Sequence, residues 1–503
     1  MADYLHGAYG RINAVGSRVA EESQGAIVYV GTAPVHTLAL ASGESYPVNV
    51  PVVVNNISEA RKLLGYSDDW AKYTLCEAMR THLESKGVGP LVMINVLDPS
   101  THKSSTLVTV SKTPENGRIT IPSAGEIILE TIVVQTKGQD PETKTKGTDY
   151  SAAYNIDKET IVLQELTSGA LGSNELDIKY YTVDHTAITT STVIGSSDGL
   201  GQNTGLFAIK DVYQITGFIP SFLACPGYSS IPAVHSAMYA NSKKINGHWD
   251  AYMFVDLPIV DGQTQITLDT ARTYKSANGY DKENETVYFP MAKGIDGRKY
   301  HLSVLAAANF QELLIDQEGI PYRSASNTDC AVIENLYLGE GYTGRVYDDE
   351  IINEKLNKYG IASAAYVGGR WAIWGAHSAD YSQEEGTQIN VAETNRMMLF
   401  YVSNDFQARR VLDVDQPLTP NDIRTIVSEE QSRIDALLNI GALIYGTVEM
   451  NADAQARSDI LNGDYSFVFN VTTTPLAKSL TAIVNWTDDG FVTYFTDSTA
   501  SAD

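Results

Sequence analysis

The sequence predicts a multidomain chain that combines α/β and α+β parts. Its 503 residues exceed the roughly 250–300 residues beyond which one hydrophobic core stops growing, so more than one domain is expected. Apolar strands alternate with helices near 26–97 and again after 206, which is typical of an α/β core. Between these stretches, residues 106–184 hold short alternating segments and polar turns, which predict an inserted β-rich domain.

The first α/β stretch contains three apolar runs that predict strands, at 26–31, 48–54 and 91–97. A helix is expected between the second and the third, capped at its start by Asp68 and Asp69 and ended by Gly87. Four apolar residues would supply its buried side: Trp70, Tyr73, Met79 and Leu83.

The inserted region reads as a β-sandwich or barrel, with alternating segments at 118–122, 127–134, 160–166 and 176–182. The α/β pattern then resumes with apolar segments at 206–212 and 218–225, followed by a Pro-Gly turn. A helix, a strand, a helix and a strand are predicted next, at 233–244, 251–257, 267–276 and 286–289.

Residues 361–367 and 371–374 are apolar runs rich in β-branched and aromatic side chains. Gly368, Gly369 and Arg370 separate them, so this stretch predicts a buried hairpin with a tight connection.

The C-terminal third predicts two long helices followed by strands. Residues 391–411 include an apolar run, 397–402, that indicates a buried helix. Thr419 is placed to cap a second helix, with Pro420 at its first position, Asp422 in its first turn and Gly441 at its end. A strand is expected at 467–471, and a final hairpin, 482–486 with 491–495, around Asp488, Asp489 and Gly490.

Composition disfavours several function classes. The net charge of -25, from 36 basic and 61 acidic residues, makes nucleic acid a poor partner, because phosphate neutralisation needs clustered Lys and Arg. Three widely spaced cysteines, Cys76, Cys225 and Cys330, suggest neither a disulfide framework nor a metal site. The N-terminus lacks signal-peptide features, and no apolar run is long enough for a membrane helix, so folding in the cytoplasm is expected.

Catalytic motifs are weak. The G-x-G-x-x-G at 339–344 runs into an acidic stretch that would repel phosphate, and we interpret it as a loop. No phosphate-binding loop and no H-E-x-x-H occurs. Acidic pairs such as 348/349 suit a solvated surface better than a glycosidase site. Four histidines lack a nucleophile motif nearby: His235, His248, His301 and His377. We therefore predict no catalytic residues, no metal and no cofactor.

A two-part pattern spans residues 356–375. It matches LN-x-x-G-(V/I)-N and (V/I)-W-G-x-R-T through Leu356, Asn357, Gly360, Ile361, Trp374 and Gly375. It departs from them at Ala362, His377 and Ser378. This pattern resembles contractile tail sheath proteins, which wrap the tube of contractile bacteriophage tails and phage-tail-like bacteriocins. The V-G-T-A-P ending of 26–34 and the turn, strand and P-x-A order of 460–477 extend the resemblance along the chain.

The resemblance implies a structural subunit that polymerises helically, as stacked rings, around an inner tail tube and contracts to drive that tube through a cell envelope. Its partners would be further copies of itself, the tube protein, and baseplate and tail terminator proteins, without nucleic acid or membrane insertion. It would act in a virion or phage-tail-like particle assembled in the bacterial host cytoplasm. The alternatives are another structural assembly protein of such a particle, or a subtilisin-like or glycoside hydrolase.

The implied fold is an α/β core of subtilisin-like architecture without a triad, bearing an inserted outer β domain, an α+β assembly domain and two extended arms. The expected boundaries are 1–24 for the N-terminal arm, 25–100 and 206–375 for the core, 101–205 for the insertion, 376–486 for the assembly domain and 487–503 for the C-terminal arm.

The arms carry scattered apolar residues in polar surroundings, which suit strand addition to a partner sheet. From the residues alone both ends would rather complete their own chain's sheet, whereas the resemblance favours exchange between subunits. The expected inter-subunit contacts are Tyr4, Leu5, Tyr9, Ile12, Phe491, Tyr494 and Phe495. The expected structural platform for the arms is Leu356, Asn357, Gly360, Trp371, Trp374 and Gly375.

Overall fold

The computed structural model describes residues 25–41, 43–122, 124–342, 348–382, 392–451, 460 and 462–491. Its strands are β1 (Gly25–Gly31), β2 (Pro51–Val54), β3 (Leu91–Asn95), β4 (Val108–Lys112), β5 (Arg118–Ile121), β6 (Val133–Thr136), β7 (Thr143–Lys144), β8 (Tyr150–Asn155), β9 (Thr160–Glu165), β10 (Leu176–Tyr180), β11 (Ile219–Ala224), β12 (Tyr252–Asp256), β13 (Val260–Asp261), β14 (Thr264–Gln265), β15 (Glu285–Tyr288), β16 (Met291–Gly294), β17 (Lys299–Tyr300), β18 (Ile333–Tyr337), β19 (Ile361–Val367), β20 (Arg370–Trp374), β21 (Leu443–Met450) and β22 (Phe467–Thr473). Its α-helices are α1 (Ile57–Leu64), α2 (Leu75–Ala78), α3 (Thr190–Ile194), α4 (Val212–Thr216), α5 (Pro232–Ala240), α6 (Ala271–Ala277), α7 (Leu302–Asp316), α8 (Asp349–Lys355), α9 (Glu393–Arg410) and α10 (Pro420–Asn439).

An eight-stranded sheet forms the body of the molecule, in the order β2-β3-β1-β11-β12-β15-β19-β20. The six strands from β3 to β19 run parallel, while β2 and β20 close the two ends as antiparallel neighbours. β3, β12 and β15 are buried along their whole length, as expected for parallel strands covered on both faces. The predicted mixed α/β character is confirmed.

The predicted hairpin is confirmed as β19 and β20, which pair from Ser363 with Trp374 to Val367 with Arg370. The long helix α7 packs into the body with eleven of its residues buried. The ring of Phe310 on that helix packs edge-to-face against Phe222 of β11 and at a tilt against Phe254 of β12, with ring centroids 4.8 and 5.7 Å apart.

The helix predicted to start at Asp68 and Asp69 begins later. Its α-helical part starts at Leu75 and continues as a wider helical turn through Lys86, and Gly87 ends it in the left-handed conformation, as predicted. The residues between Asp69 and Leu75 form turns, so the two aspartates do not cap the helix. All four residues predicted for its buried side are buried, although Trp70 and Tyr73 lie before the helix.

Two small sheets lie between residues 108 and 180, with strand orders β4-β10-β6-β7 and β5-β9-β8. Inward side chains of both sheets form one apolar core, which includes Ile121, Val134, Leu163 and Ile178. Glu126 joins this unit to the body by accepting hydrogen bonds from Lys72 (2.8 Å) and His185 (2.7 Å). Burial alone would raise the pKa of Glu126, but these two partners lower it to about 2.

The C-terminal module consists of α9, α10, β21 and β22. It has a small core of its own: Met398, Val402, Ile434, Leu437, Ala442, Leu443 and Val448. Helix α10 starts with the predicted Thr419 cap, in which Thr419 and Asp422 bind each other's backbone amides. Within the described residues, no helix is both long and apolar enough to cross a membrane.

Candidate assembly surface

The residues predicted to form a platform lie around the β19–β20 hairpin. Leu356 is fully buried, Trp371 is buried within β20 and Trp374 is half-buried at the end of that strand. The indole N–H of Trp374 donates to Asn353 Oδ1 (3.0 Å), one helical turn before Asn357, where a short 3-10 turn begins. The structure thus gathers these side chains at one end of the large sheet.

Two platform glycines are required by close packing. Gly360 has a φ of 67°, and a Cβ there would lie 2.8 Å from the carbonyl oxygen of Tyr381. Gly375 has a φ of 124°, and a Cβ there would lie 3.0 Å from Ala362 Cα. These positions favour glycine both for backbone conformation and for space. The chain leaving the body toward the C-terminal module therefore lies directly against the hairpin.

Helix α9 is fixed to the body at two points. The buried carboxylate of Glu393 accepts hydrogen bonds from Thr286 (2.8 Å) and Ser324 (2.5 Å), and burial raises the pKa of Glu393. The side-chain amide of Asn404 accepts from the backbone N–H of Asp250 (3.1 Å) and donates to its carbonyl oxygen (2.8 Å). Because both buried contacts are satisfied, α9 has a defined position on the body.

A buried carboxylate joins α9 to α10. Glu430 is 1% exposed and accepts hydrogen bonds from Arg409 Nη2 (2.6 Å) and Arg410 Nε (2.7 Å). A buried charge of this kind is tolerated only when it is paired and hydrogen-bonded, as here. The two helices therefore form one unit that carries the two-stranded sheet.

The β21–β22 sheet has a single ladder, which runs from Leu443 with Thr473 to Met450 with Phe467. In the part of the chain that the structure describes, no third strand pairs with either of them. An edge strand of eight residues presents backbone groups on which another strand can add. Among the described residues of the C-terminal module, it is the only sheet.

The chain continues from β22 as an extended segment, residues 474–487, which leads to the predicted C-terminal arm at 487–503; we call residues 474–487 the C-terminal arm segment, or the arm. Its root is anchored by Thr474, whose hydroxyl donates to the carbonyl oxygen of Gly441 (2.5 Å). Lys478 Nζ then donates to the hydroxyl of Tyr381 (2.8 Å), and the Tyr381 ring stacks on His377 with centroids 3.9 Å apart. The arm therefore leaves the molecule next to the platform.

Beyond this anchor the apolar side chains of the arm face solvent. Leu480, Ile483, Val484 and Trp486 are 90%, 83%, 89% and 82% exposed. Contiguous exposed apolar surface of this kind marks an interaction site, because a soluble chain normally buries it. The arm is an apolar segment for which the body provides no cover.

The structure tests only part of the predicted arm contacts. Phe491 is described; it lies in a short helical turn, is 57% exposed and does not belong to a strand. Residues 482–486 are extended and pair with no described residue, and all of the predicted partner strand except Phe491 lies outside the described residues, so the hairpin of 482–486 with 491–495 stays a prediction. The remaining predicted contacts lie outside the described residues: Tyr4, Leu5, Tyr9, Ile12, Tyr494 and Phe495.

The histidines considered for a hydrolytic site are engaged elsewhere. His301 Nδ1 bonds Glu77 Oε2 (2.6 Å), and His235 Nε2 bonds Glu285 Oε2 (2.6 Å) with both side chains buried. The buried Ser303 hydroxyl donates to Asp256 and so is held by a carboxylate. Among the described residues, no group of three or more His, Cys, Asp or Glu side chains is placed to hold a metal ion.

His248 and His377 contact aromatic rings. The His248 ring lies 5.7 Å from that of Trp249, and His377 belongs to the stack on Tyr381. Each of the four histidines therefore has a structural partner.

Comparison with known proteins finds similarity to phage tail sheath proteins. No protein-family model matches the chain. The tail sheath protein of Burkholderia phage BcepMu is 23% identical over 499 residues, which cover 95% of this chain and 96% of that protein. The major tail sheath protein of Serratia phage KSP20 is 22% identical over 316 residues, covering 62% of this chain and 75% of that protein. The chain is thus similar to phage tail sheath proteins, in one case over nearly its whole length.

Solved structures show the same fold as this chain. A chain of the anti-feeding prophage baseplate aligns with a TM-score of 0.54 at 13% identity, over 97% of this chain and 100% of that one. A chain of the contracted anti-feeding prophage helical sheath aligns with a TM-score of 0.52 at 12% identity, again over 97% and 100%. The likeness extends over nearly the entire length of each chain.

Sequence reasoning missed the anchor of the C-terminal arm segment. Lys478 and Tyr381 lie 97 residues apart, and neither belongs to a recognisable motif. The only available signal was the pair of departures from the family pattern at His377 and Ser378, which marks the stretch that holds Tyr381. Such a contact depends on tertiary packing.

Proposed function

We propose that this chain is the structural subunit of a contractile tail sheath. It polymerises helically, as stacked rings around an inner tail tube, and contracts to drive that tube through a cell envelope. Its partners are further copies of itself, the tube protein, and baseplate and terminator proteins of a phage or phage-tail-like particle assembled in the host cytoplasm. The end-to-end similarity to phage tail sheath proteins supports this function.

The single structural observation that carries the proposal is the exposed C-terminal arm segment beside an incomplete sheet. The arm holds four apolar side chains that are each more than 80% exposed, and the two-stranded β21–β22 sheet belongs to the same module. A chain that has both an extended segment and an unpaired strand edge can bind further copies of itself by strand addition. Such a head-to-tail contact can repeat from subunit to subunit and build a helical polymer. Strand exchange of this kind keeps subunits connected while they slide.

We propose the predicted domain division for this assembly. The body, 25–100 with 206–375, would be the α/β core of subtilisin-like architecture, and the sandwich, 101–205, would face outward. Residues 376–486 would form the assembly domain, with arms at both ends. The platform around the β19–β20 hairpin supports this division, since the arm leaves the molecule beside it.

We further propose that the chain has no catalytic role. Ser303 is held by Asp256, and His235 and His301 are each held by a carboxylate, so no described serine is activated by these imidazoles. The work of contraction would come from two alternative packings of the subunits, which differ in free energy.

Electron microscopy of the purified protein tests the function. Long hollow striated tubes are expected for the full chain. Deletion of residues 1–18, or truncation after Lys478, should leave a folded monomer that does not polymerise. Leu200→Ala provides a control, because Leu200 is as exposed (90%) as Leu480 but lies on a loop of the inserted region. Normal tubes from both truncations would contradict the strand-exchange model, and monodisperse particles with hydrolytic activity would contradict the function.

A further inference from the structure

A glutamine side chain occupies part of the β21 edge. Gln431 on α10 accepts a hydrogen bond from the backbone N–H of Val448 (2.9 Å) and donates to the carbonyl oxygen of Gly446 (3.2 Å). One amide group thus takes the acceptor of one strand residue and the donor of the residue two positions later. A residue of a neighbouring parallel strand would bind the same two groups. The side chain therefore imitates one residue of an added strand.

The position of this amide is fixed from two sides. Its nitrogen also donates to Asp435 Oδ1 (2.9 Å), one helical turn further along α10. Helix α10 lies so close to β21 that a Cβ on Gly446 would come 2.2 Å from Ile434 Cγ2. Gly446 thus permits the approach that brings Gln431 within reach of the strand edge.

The same glutamine borders an open groove between α10 and β21. The groove has a volume of about 650 Å³. Its apolar walls are Ile423, Val427, Val448 and Met450. An extended segment that paired with β21 would place alternate side chains against these walls. Gln431 stands where the backbone of that segment would bind.

We propose that Gln431 is a latch that covers the β21 edge in the unassembled subunit and is displaced by an incoming strand. The occupant we assign is the exposed arm segment 480–486 of a second copy, because its four apolar side chains are left exposed by the described residues of their own chain. This inference rests on the proposed sheath function. It adds that Gln431 regulates when the β21 edge can bind an incoming strand. Covering an unpaired edge is a general way to prevent premature strand pairing.

A peptide-binding experiment tests the latch without requiring tubes. A fluorescent peptide of residues 474–491 is titrated onto the unassembled full chain, as wild type and as Gln431→Ala. The variant should bind about fivefold more tightly, since the peptide no longer competes with hydrogen bonds that each contribute modestly. Gln407→Ala is the matched control, because Gln407 on α9 donates only within its own helix, to Ser403 (3.3 Å). Equal affinity of wild type and Gln431→Ala, or no binding to either, would overturn the proposal.

Hydrogen exchange at the Val448 amide supplies the second readout. In the unassembled subunit this amide should exchange about tenfold faster in Gln431→Ala than in wild type, and in assembled tubes it should be protected in both. Gln431→Glu serves as a second variant in case Gln431→Ala folds poorly. It keeps the acceptor for the Val448 N–H but loses the donor to the Gly446 carbonyl oxygen. Its affinity for the peptide should therefore lie between those of wild type and Gln431→Ala. An amide still unprotected in tubes of Gln431→Ala would show that no strand replaces the latch. Failure of wild type to form tubes would instead contradict the proposed function.

Discussion

The large sheet and the C-terminal module differ in how they complete their strand edges. In the body, β2 and β20 close an eight-stranded sheet as antiparallel end strands, and the strands between them are almost wholly buried. In the C-terminal module, a two-stranded sheet is joined to an arm whose apolar side chains are exposed. The large sheet of the body has an end strand on each side, whereas the described part of the C-terminal module leaves apolar side chains exposed.

This difference explains how one chain can be both a stable subunit and a polymer element. Folding of the body depends on contacts within the chain, which a monomer already has. In the proposed sheath function, assembly depends on groups that the monomer leaves exposed, at little cost to its own folding. Substitutions in the two regions should therefore separate stability from polymerisation.

The largest expected effect is on the core of the body. Phe254 is fully buried, and the centroid of its ring lies 5.7 Å from that of Phe310. Phe254→Ala should lower the free energy of unfolding by about 3–5 kcal/mol, because it leaves a cavity between α7 and the sheet. Phe491→Ala is the matched control: the side chain is 57% exposed, and the change should stay within about 0.5 kcal/mol. Denaturant unfolding of the monomer measures both, and equal effects would contradict the comparison.

The next effect concerns the junction of the two regions. Gly360→Ala should destabilise the monomer by about 2–4 kcal/mol, since it combines left-handed backbone strain with a clash at the carbonyl of Tyr381. Gly441→Ala isolates the strain, because Gly441 has a φ of 77° but open space around it, and should cost about 1–2 kcal/mol. Thermal unfolding of both variants compares them. If Gly441→Ala destabilised the monomer as much as Gly360→Ala, close packing at the junction would not explain the effect of Gly360→Ala.

Elements with strong local signals were predictable from the sequence. The β19–β20 hairpin follows from two apolar runs around a glycine pair, and α10 follows from a capping residue, a proline and a helical stripe. Both signals are local, and tertiary packing agrees with them. The order of motifs along the chain then pointed to the family.

Other features depend on contacts that sequence does not reveal. Asp68 and Asp69 resemble helix caps, but the helix starts only after Thr74. The hydroxyl oxygen of Thr74 accepts a hydrogen bond from the backbone N–H of Thr32 (3.3 Å). Residues 482–486 form an apolar run that predicts a strand, yet no described strand pairs with them. The Gln431 contact with the β21 edge has no sequence signature, since any exposed helix can carry a glutamine. Such features are set by which distant segments meet.

A pH-dependent effect should be confined to the body. Burial alone would lower the pKa of His301, but the Glu77 carboxylate raises it to about 9. This pKa exceeds the ordinary value of 6.5, so protonated His301 stabilises the folded state. That contribution to the free energy of unfolding is complete below pH 6.5. It decreases by on the order of 2 kcal/mol as the pH rises toward 9. Unfolding of the monomer at pH 6.5 and pH 9 measures the loss. His301→Gln should remove most of this pH dependence; an unchanged dependence would assign it to other groups.

The smallest effect on stability should accompany a large effect on assembly. Leu480 and Leu200 are both 90% exposed, so replacing either with alanine should change the free energy of unfolding by less than about 0.5 kcal/mol. If Leu480 becomes buried against a second copy, Leu480→Ala should raise the concentration needed for polymerisation about tenfold, because burying a leucine contributes roughly 1.5–3 kcal/mol. Leu200→Ala should leave that concentration unchanged. Light scattering across a dilution series distinguishes the two variants, and an equal response would mean that exposure alone does not define the assembly surface.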